Sequence, residues 1–275
     1  MLMAAVLFVK PMVKRAAVPL AAVLAVALLV ALAWIFEQPS DLTLVMRELK
    51  GLGFEPKRIL DVGANEGTWT ADMAKTVPGA EFFQIEGNAG LEPDLKARGR
   101  PYRIAIVGDE EKTVTFYKLC NEGLCSGASS VFQENTVWGE QMAKEERQMT
   151  TIDKIVAEDG QAPFDMIKID VQGAEIIAMA GATETLKSVQ VILAETSNVE
   201  YNKGAPGTLE VLNHYDKMGF EIFDISEIHR KRGTGHGIMF QLDFVFVRKV
   251  RPRLLLTEVS IHNMRGICMI SDSRI

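Results

Sequence analysis

Beyond Pro39 the chain alternates short apolar runs with amphipathic stretches. The runs "RILDVGA", "AEFFQIE", "YRIAIVG", "FDMIKID", "VQVILAE", "FEIFDI" and "LDFVFVRK" predict strands. The stretches "TWTADMAKTV", "AEIIAMAGATETL" and "GTLEVLNHYDKMG" follow the first, fourth and fifth runs and predict helices. Strands buried on both faces and joined by crossover helices imply a mainly parallel α/β sheet. The last two runs are separated by "SEIHRKRGTGHGIMFQ", too polar and glycine-rich for a crossover helix, so they are expected to pair antiparallel. No repeat with a period of roughly 20–50 residues is visible. One domain over residues 40–250 accounts for all seven runs. It leaves a tail, 251–275, with neither period nor motif.

The first 36 residues follow another pattern. From Ala16 to Phe36, "AAVPLAAVLAVALLVALAWIF" carries no charge. At about 1.5 Å per residue this makes a helix of roughly 31 Å, the hydrocarbon thickness of a bilayer. Pro19 falls in the first turn, where its missing N–H is harmless, and Trp34 and Phe36 suit an interface. A cleaved signal peptide with Ala31 and Ala33 as the cleavage motif is the competing reading. The apolar run exceeds the about 7–15 residues of such a segment and continues past Ala33, which favours a retained single-pass transmembrane helix over 16–36 behind a basic segment, 1–15. Translation from Met46 would instead give a soluble cytoplasmic domain.

Composition narrows the function classes. Hydrophobic content of 48% and charged content of 24% are those of a globular protein. A net charge of −6 gives no electrostatic reason to expect nucleic acid as a partner. The four histidines, His214, His229, His236 and His262, have no ligand spacing and read as scattered surface residues. "CNEGLC" lacks the second pair of a zinc site, so no metal is expected. Cys120 and Cys125 could bridge only in an oxidising compartment and otherwise read as two reduced thiols.

Candidate chemistry begins at "ILDVGANEGTWT", residues 59–70. Gly63 and Gly67 allow close approach of backbone to a ligand, and the following helix offers N-terminal N–H groups. A tight turn with no ligand is the alternative. Asn65 occupies the second glycine position of the dinucleotide pattern G-x-G-x-x-G, which argues against a pyrophosphate and hence against a nicotinamide-dependent oxidoreductase. Glu86 ends the second strand, about twenty residues beyond Gly67, where a carboxylate can accept both hydroxyls of a ribose. A bound nucleoside without a pyrophosphate fits both features.

Those two motifs, with "FDMIKIDVQGAE", "ILAETSNVEYNKGAP" and "QLDFVFVRK", resemble the FkbM family of S-adenosylmethionine-dependent methyltransferases over roughly residues 45–249. The resemblance implies a Rossmann-like class I methyltransferase sheet of seven strands, mainly parallel with an antiparallel last strand. It also implies S-adenosyl-L-methionine as cofactor and O-methylation of a hydroxyl on a sugar, glycan or related metabolite. By position, Asp61, Gly63, Asn65 and Gly67 would hold the methionine end, with Asp61 meeting the ammonium directly or through water. Glu86 would take the ribose hydroxyls, and Ile106 to Asp109 would border the adenine. A membrane-anchored nucleoside-binding module without catalysis is the alternative. The weak excess of Lys10, Lys14 and Arg15 over Arg47 and Lys50 points the domain outward. Cofactor supply points it to the cytosol, which is the expected side.

Lys168 and Asp170 share one face of the fourth strand. Ionisable groups in a buried strand are costly when unpaired, and in the strand order that the resemblance implies this strand lies between the first and fifth, so Lys168 is expected to pair with Asp61 or Glu195. Asp170, at the strand's carboxyl tip, is the candidate catalytic residue that orients a hydroxyl and accepts its proton; capping the next helix is the competing role. Glu175 suits the first turn of that helix on dipole grounds. The methyl of a sulfonium is already an activated electrophile, so no metal is required. Substrate choice is expected in the insertion Leu119–Gln148, with Ser129, Ser130 and Trp138, and in the basic cluster 229–237, which otherwise reads as a solvated loop.

Overall fold

The computed structural model describes residues 41–249 except 119, 122–123, 126, 162 and 232–236. The expected anchor at 16–36, the segment 1–15, the tail 251–275, the Cys120 and Cys125 thiols and most of the basic cluster lie outside the described residues. Among the described residues, no helix is long and apolar enough to cross a membrane.

The chain opens with α1 (Asp41–Gly51), β1 (Arg58–Val62), α2 (Thr68–Thr76), β2 (Glu81–Glu86), α3 (Glu92–Arg98) and β3 (Tyr102–Ile104). It continues through β4 (Ile106–Val107), β5 (Lys112–Lys118), β6 (Cys120–Asn121), β7 (Leu124–Cys125) and β8 (Ala143–Thr150). Then come α4 (Ile152–Glu158), β9 (Met166–Ile169), α5 (Glu175–Ala180), β10 (Val191–Ser197), α6 (Thr208–Lys217), β11 (Phe220–Lys231) and β12 (Ile238–Arg248). The seven apolar runs all enter one sheet, in the order β11-β12-β10-β9-β1-β2-β3. β12 runs antiparallel to both its neighbours, and the pairings from β10 to β3 are parallel. The fold is therefore Rossmann-like, with a mostly parallel seven-strand sheet and an antiparallel last strand.

Period-2 alternation sends the side chains of each strand to two cores. Leu60, Val62, Ile167, Ile169, Ile192 and Ala194 pack on α4, α5 and α6 through residues such as Ile155, Met179 and Tyr215. On the other face, Ile59, Met166 and Leu193 meet Val45, Met46 and Leu49 of α1 and Met73 of α2. A chain starting at Met46 would begin inside α1 and lose Val45 from that core. From β1 the chain winds outward to β3, then returns to β9 on the other side of β1. That reversal places the topological switch point between β1 and β9, where ligands of such sheets bind.

Four expectations change. The run "YRIAIVG" breaks at Ala105, whose N–H donates to Glu86 O at 2.8 Å. Ile106 and Val107 then leave the main sheet and form β4 of a second sheet, ordered β4-β8-β5, around Ile106, Phe116 and Met149. The insertion is thus partly regular, since β8 runs to Thr150. The polar link between the last two runs is also largely strand, because β11 reaches Lys231 and β12 starts at Ile238. β11 is the sheet edge, paired on one side only, so polar side chains there can point to water. Helix α5 is shorter than "AEIIAMAGATETL" implies and ends against the second sheet at Gly181.

Gly181 is required for space rather than for special backbone: its φ of −89° is ordinary, yet a Cβ would lie 1.9 Å from Gly108 O. Gly181→Ala should therefore lower stability by at least the about 1–3 kcal/mol typical of overpacking. An unchanged thermal midpoint would show that the two segments can move apart freely.

Candidate active site

The site forms where β1 and β9 end side by side. Gly63 has a φ of +77°, and a Cβ on it would sit 1.8 Å from the carbonyl oxygen of Asp170. No other residue type satisfies both conditions. The Asp170 N–H donates to Val62 O at 3.0 Å, so the two strand exits are joined backbone to backbone.

Beneath this junction lies a buried ion pair. Asp61 and Lys168 are register partners on adjacent parallel strands and face the same side of the sheet. Lys168 Nζ lies 3.4 Å from Asp61 Oδ1 and 3.6 Å from Asp170 Oδ2, and donates to Gly63 O at 2.9 Å. Asp61 is fully buried, and its Oδ2 accepts the Thr70 hydroxyl of α2 at 2.6 Å. Burial opposes the charge on Lys168, but the carboxylates of Asp61 and Asp170 outweigh it and hold its pKa above the usual lysine value.

Two clefts meet above this pair. The first has about 830 Å³ of open space and is lined by Gly63, Asn65, Glu86, Ile106, Phe116, Ser129, Ser130 and Asp170, among others. Glu86 is held on both oxygens: Oε2 accepts Asn65 N–H at 2.8 Å and Oε1 accepts Asn88 N–H at 2.7 Å. Burial raises its pKa, against those two N–H groups. Asn65 Oδ1 is buried at the cleft with no hydrogen-bond partner among the described residues.

The second cleft, with about 500 Å³ of open space, shares Gly63, Asn65 and Asp170 with the first. Trp69, Lys168, Leu193, Glu195 and Asp243 complete it. Glu195 and Asp243 face each other as register partners on β10 and β12. Burial, together with the Asp170 and Asp243 carboxylates, raises the pKa of Glu195. Burial and Asp170 likewise push Asp243 up, to about 6.

Not every sequence-named residue reaches a cleft. Asp61 lines neither; it is the counter-ion of Lys168. Gly67 also lies back from both, where a Cβ would meet Arg98 Cδ at 2.8 Å, so its role is to let α2 approach α3. Asp109 stands in the exposed β4–β5 turn with its Oδ1 2.8 Å from Lys112 Nζ, away from the cleft that Ile106 and Val107 do line. Trp138 is 55% exposed and borders neither cleft, because its segment turns outward at a short 3₁₀ turn, Gly139–Gln141. Ser129 and Ser130 line the first cleft, and their hydroxyls are engaged. Ser129 Oγ accepts Asn88 Nδ2 at 3.1 Å, and Ser130 Oγ donates to Gln172 O at 2.8 Å.

Other assignments shift with tertiary contact. Glu175 does more than meet a helix dipole: its Oε1 accepts the N–H groups of Val171 and Gly173 at 3.0 and 3.1 Å, bracing the loop that carries Asp170. Asp170 itself caps no helix, since the residue at the N-cap of α5 is Ala174. His229 is not an isolated surface residue; its Nε2 is 3.6 Å from Asp243 Oδ1, and with Glu195 the three offer ligand atoms within 4.8 Å of one another. Trp69, Phe116, Gln172 and Asp243 were missed as site residues. Asp243 had a signal, a lone acid within the apolar run "QLDFVFV".

Glu175 is 3% exposed, and burial chiefly pushes its pKa up to about 7. A carboxyl raised in the folded state stabilises fully below its unfolded value of about 4.5, and that contribution is lost as pH rises through about 7. Over that window Glu175→Gln should gain stability relative to the unmodified protein, by up to about 3 kcal/mol. Denaturant titrations from about pH 5 to pH 8 measure the difference; parallel curves would remove Glu175 as a titrating group.

Residues 61–222, more than half of the chain, match the methyltransferase FkbM domain. No curated protein matches the chain in sequence. Among solved structures, precorrin-6y C5,15-methyltransferase from Geobacter metallireducens GS-15 is 11% identical, with a TM-score of 0.39 over 70% of this chain and 80% of that one. A TehB-like SAM-dependent methyltransferase from Corynebacterium glutamicum is 11% identical, with a TM-score of 0.39 over 84% of this chain and 100% of that one. A SAM-dependent methyltransferase from Aquifex aeolicus is 13% identical, with a TM-score of 0.37 over 79% of this chain and 97% of that one. With the extent of the domain match deciding the matter, the chain belongs to the FkbM family of S-adenosylmethionine-dependent methyltransferases.

Proposed function

We propose that the protein methylates a hydroxyl oxygen of a sugar, glycan or related small metabolite, with the cofactor in the first cleft and the acceptor in the second. The observation that carries this reading is the position of Asp170, which borders both clefts. The first cleft fits the cofactor chemically. Its Glu86 carboxylate can accept ribose hydroxyls, Ile106, Val107 and Phe116 offer apolar walls for a base, and the unpartnered Asn65 Oδ1 can accept from an ammonium.

When bound, S-adenosylmethionine supplies a methyl on a positively charged sulfur. The chain must then hold an acceptor oxygen in line with that methyl and remove its proton, both within ordinary catalytic magnitudes. Asp170 would orient the hydroxyl and accept its proton. Lys168 Nζ, 3.6 Å from Asp170 Oδ2, anchors one oxygen of that carboxylate at the junction of the clefts. The uncharged stretch 16–36 supports a membrane-tethered enzyme, and cofactor supply favours a cytosolic domain.

Glu86→Gln keeps the shape of the side chain and removes its charge. Losing charge-assisted bonds of roughly 1.5–3 kcal/mol should weaken S-adenosylhomocysteine binding by about 10- to 100-fold in calorimetry. Affinity within a factor of about two would detach Glu86 from the ribose.

Transfer itself is tested with methyl-labelled S-adenosylmethionine and a panel of glycosides, hydroxylated metabolites and amines. Label should enter methyl ethers, and label appearing only on nitrogen would overturn O-methylation. With an acceptor in hand, Asp170→Asn should lower turnover by about 10²–10⁴-fold with cofactor affinity nearly unchanged. Normal turnover would remove Asp170 from proton transfer.

A further inference from the structure

Gln172 sits in a backbone conformation that suits it poorly. It is one of two non-glycine residues with positive φ among those described, at +55°, the other being Asn65. An L-residue there loses roughly 1–2 kcal/mol, which glycine would avoid. Three contacts hold it in place. Ser130 Oγ and Asn202 Nδ2 donate to its carbonyl oxygen at 2.8 and 2.5 Å, and Glu175 Oε1 accepts the N–H groups on either side of it. A position that glycine would fill more comfortably carries a long amide, so the amide needs a reason.

Its contacts supply one. Gln172 Nε2 donates to Asp170 Oδ1 at 2.7 Å and to Glu195 Oε1 at 3.0 Å. Gln241 Nε2 donates to the same Glu195 oxygen at 2.6 Å. The two oxygens of Asp170 therefore meet different partners, Oδ1 the Gln172 amide and Oδ2 the Lys168 ammonium. Two partners on opposite oxygens fix the plane of a carboxylate, whereas Lys168 alone would leave it free to turn about its last bond. Fixing that plane decides where the remaining lone pairs point across the junction of the clefts. The amide also links Asp170, just beyond β9, to Glu195 on β10, so it couples the proton-accepting group to the wall of the acceptor cleft.

We propose that Gln172 is a positioning residue that orients the Asp170 carboxylate for proton transfer from the acceptor hydroxyl. This rests on the reading of Asp170 as the proton acceptor. Orientation of this kind acts on the transition state more than on binding, so its loss appears in kcat.

Gln172→Gly is the informative variant, because it removes the amide while relieving the backbone. Gln172→Met keeps the length without the donor. Gln172 borders the cofactor cleft, so S-adenosylhomocysteine affinity is measured for both variants and kcat is compared at saturating cofactor. With the acceptor from the labelled panel, both should lose about 10- to 100-fold in kcat with little change in KM. The glycine variant should keep or raise its thermal midpoint, which a merely structural role would not allow. Crystals of Gln172→Gly with S-adenosylhomocysteine should show Asp170 rotated or in two conformers. An unmoved, single Asp170 conformer, or unchanged kcat in both variants beside an inactive Asp170→Asn, overturns the role of Gln172 alone. Full activity of Asp170→Asn instead overturns the reading of Asp170, and the proposal falls with it.

Discussion

A lysine and an aspartate lie side by side inside the sheet, and the site is arranged around them. Asp61 is fully buried and Lys168 nearly so, on neighbouring strands at the same register. A buried pair of this kind is weak evidence for stability, since desolvation can cancel its Coulombic gain. Its effect here is on geometry. Lys168 also reaches Gly63 O and Asp170, while Asp61 takes the Thr70 hydroxyl. One ammonium thereby ties the exit of β1, the start of α2 and the tip of β9 to a common point. Any slip between β1 and β9 would separate the charges and leave both unpaired in the core.

Above that point the carboxyl ends of the central strands are strongly acidic. Asp170, Glu175, Glu195 and Asp243 crowd together, and burial raises the pKa of the last three. The arrangement persists because amides and backbone N–H groups take up the oxygens: Gln172 and Gln241 on Glu195, Val171 and Gly173 on Glu175. Segments distant in sequence complete the enclosure. Ser130 bonds to the Gln172 carbonyl, Lys203 N–H donates to Gln133 O, and Asn135 N–H donates to Tyr201 O. The loop after β9 is thus held from above by the insertion and by the segment after β10.

The two clefts of the site differ in what lines them. The first cleft gathers the glycine turn, Glu86 and the apolar residues of β4. The second is built from strand residues, Glu195 and Asp243, and from Trp69 on the first turn of α2. Irregular sequence suggested that selectivity would lie in the insertion, yet its Trp138 faces solvent and its serines face the first cleft. Regular elements supply the second cleft because their tips converge at the switch point.

The sequence by itself determined the sheet and its mainly parallel character. Seven apolar runs with crossover stretches leave few alternatives, since strands buried on both faces must be nearly all apolar and parallel connections need a helix between them. It also determined the switch point, because a glycine turn after the first strand and an acid after the second are local features. That Lys168 needs an acidic neighbour was legible too, as a charge in a buried strand requires one, but the choice between Asp61 and Glu195 was not. Tertiary structure decided the rest. Whether Asp61 faces the ligand or the lysine depends on side-chain register across two strands some hundred residues apart. Asp109 and Ile106 are close in sequence, but only Ile106 turns into a cleft, because the chain leaves the main sheet at Ala105. Gln172 carries no signal in its residue type; its meaning comes from a left-handed backbone held by Ser130 and Asn202, contacts that exist only once the insertion and the β10 loop have closed over it.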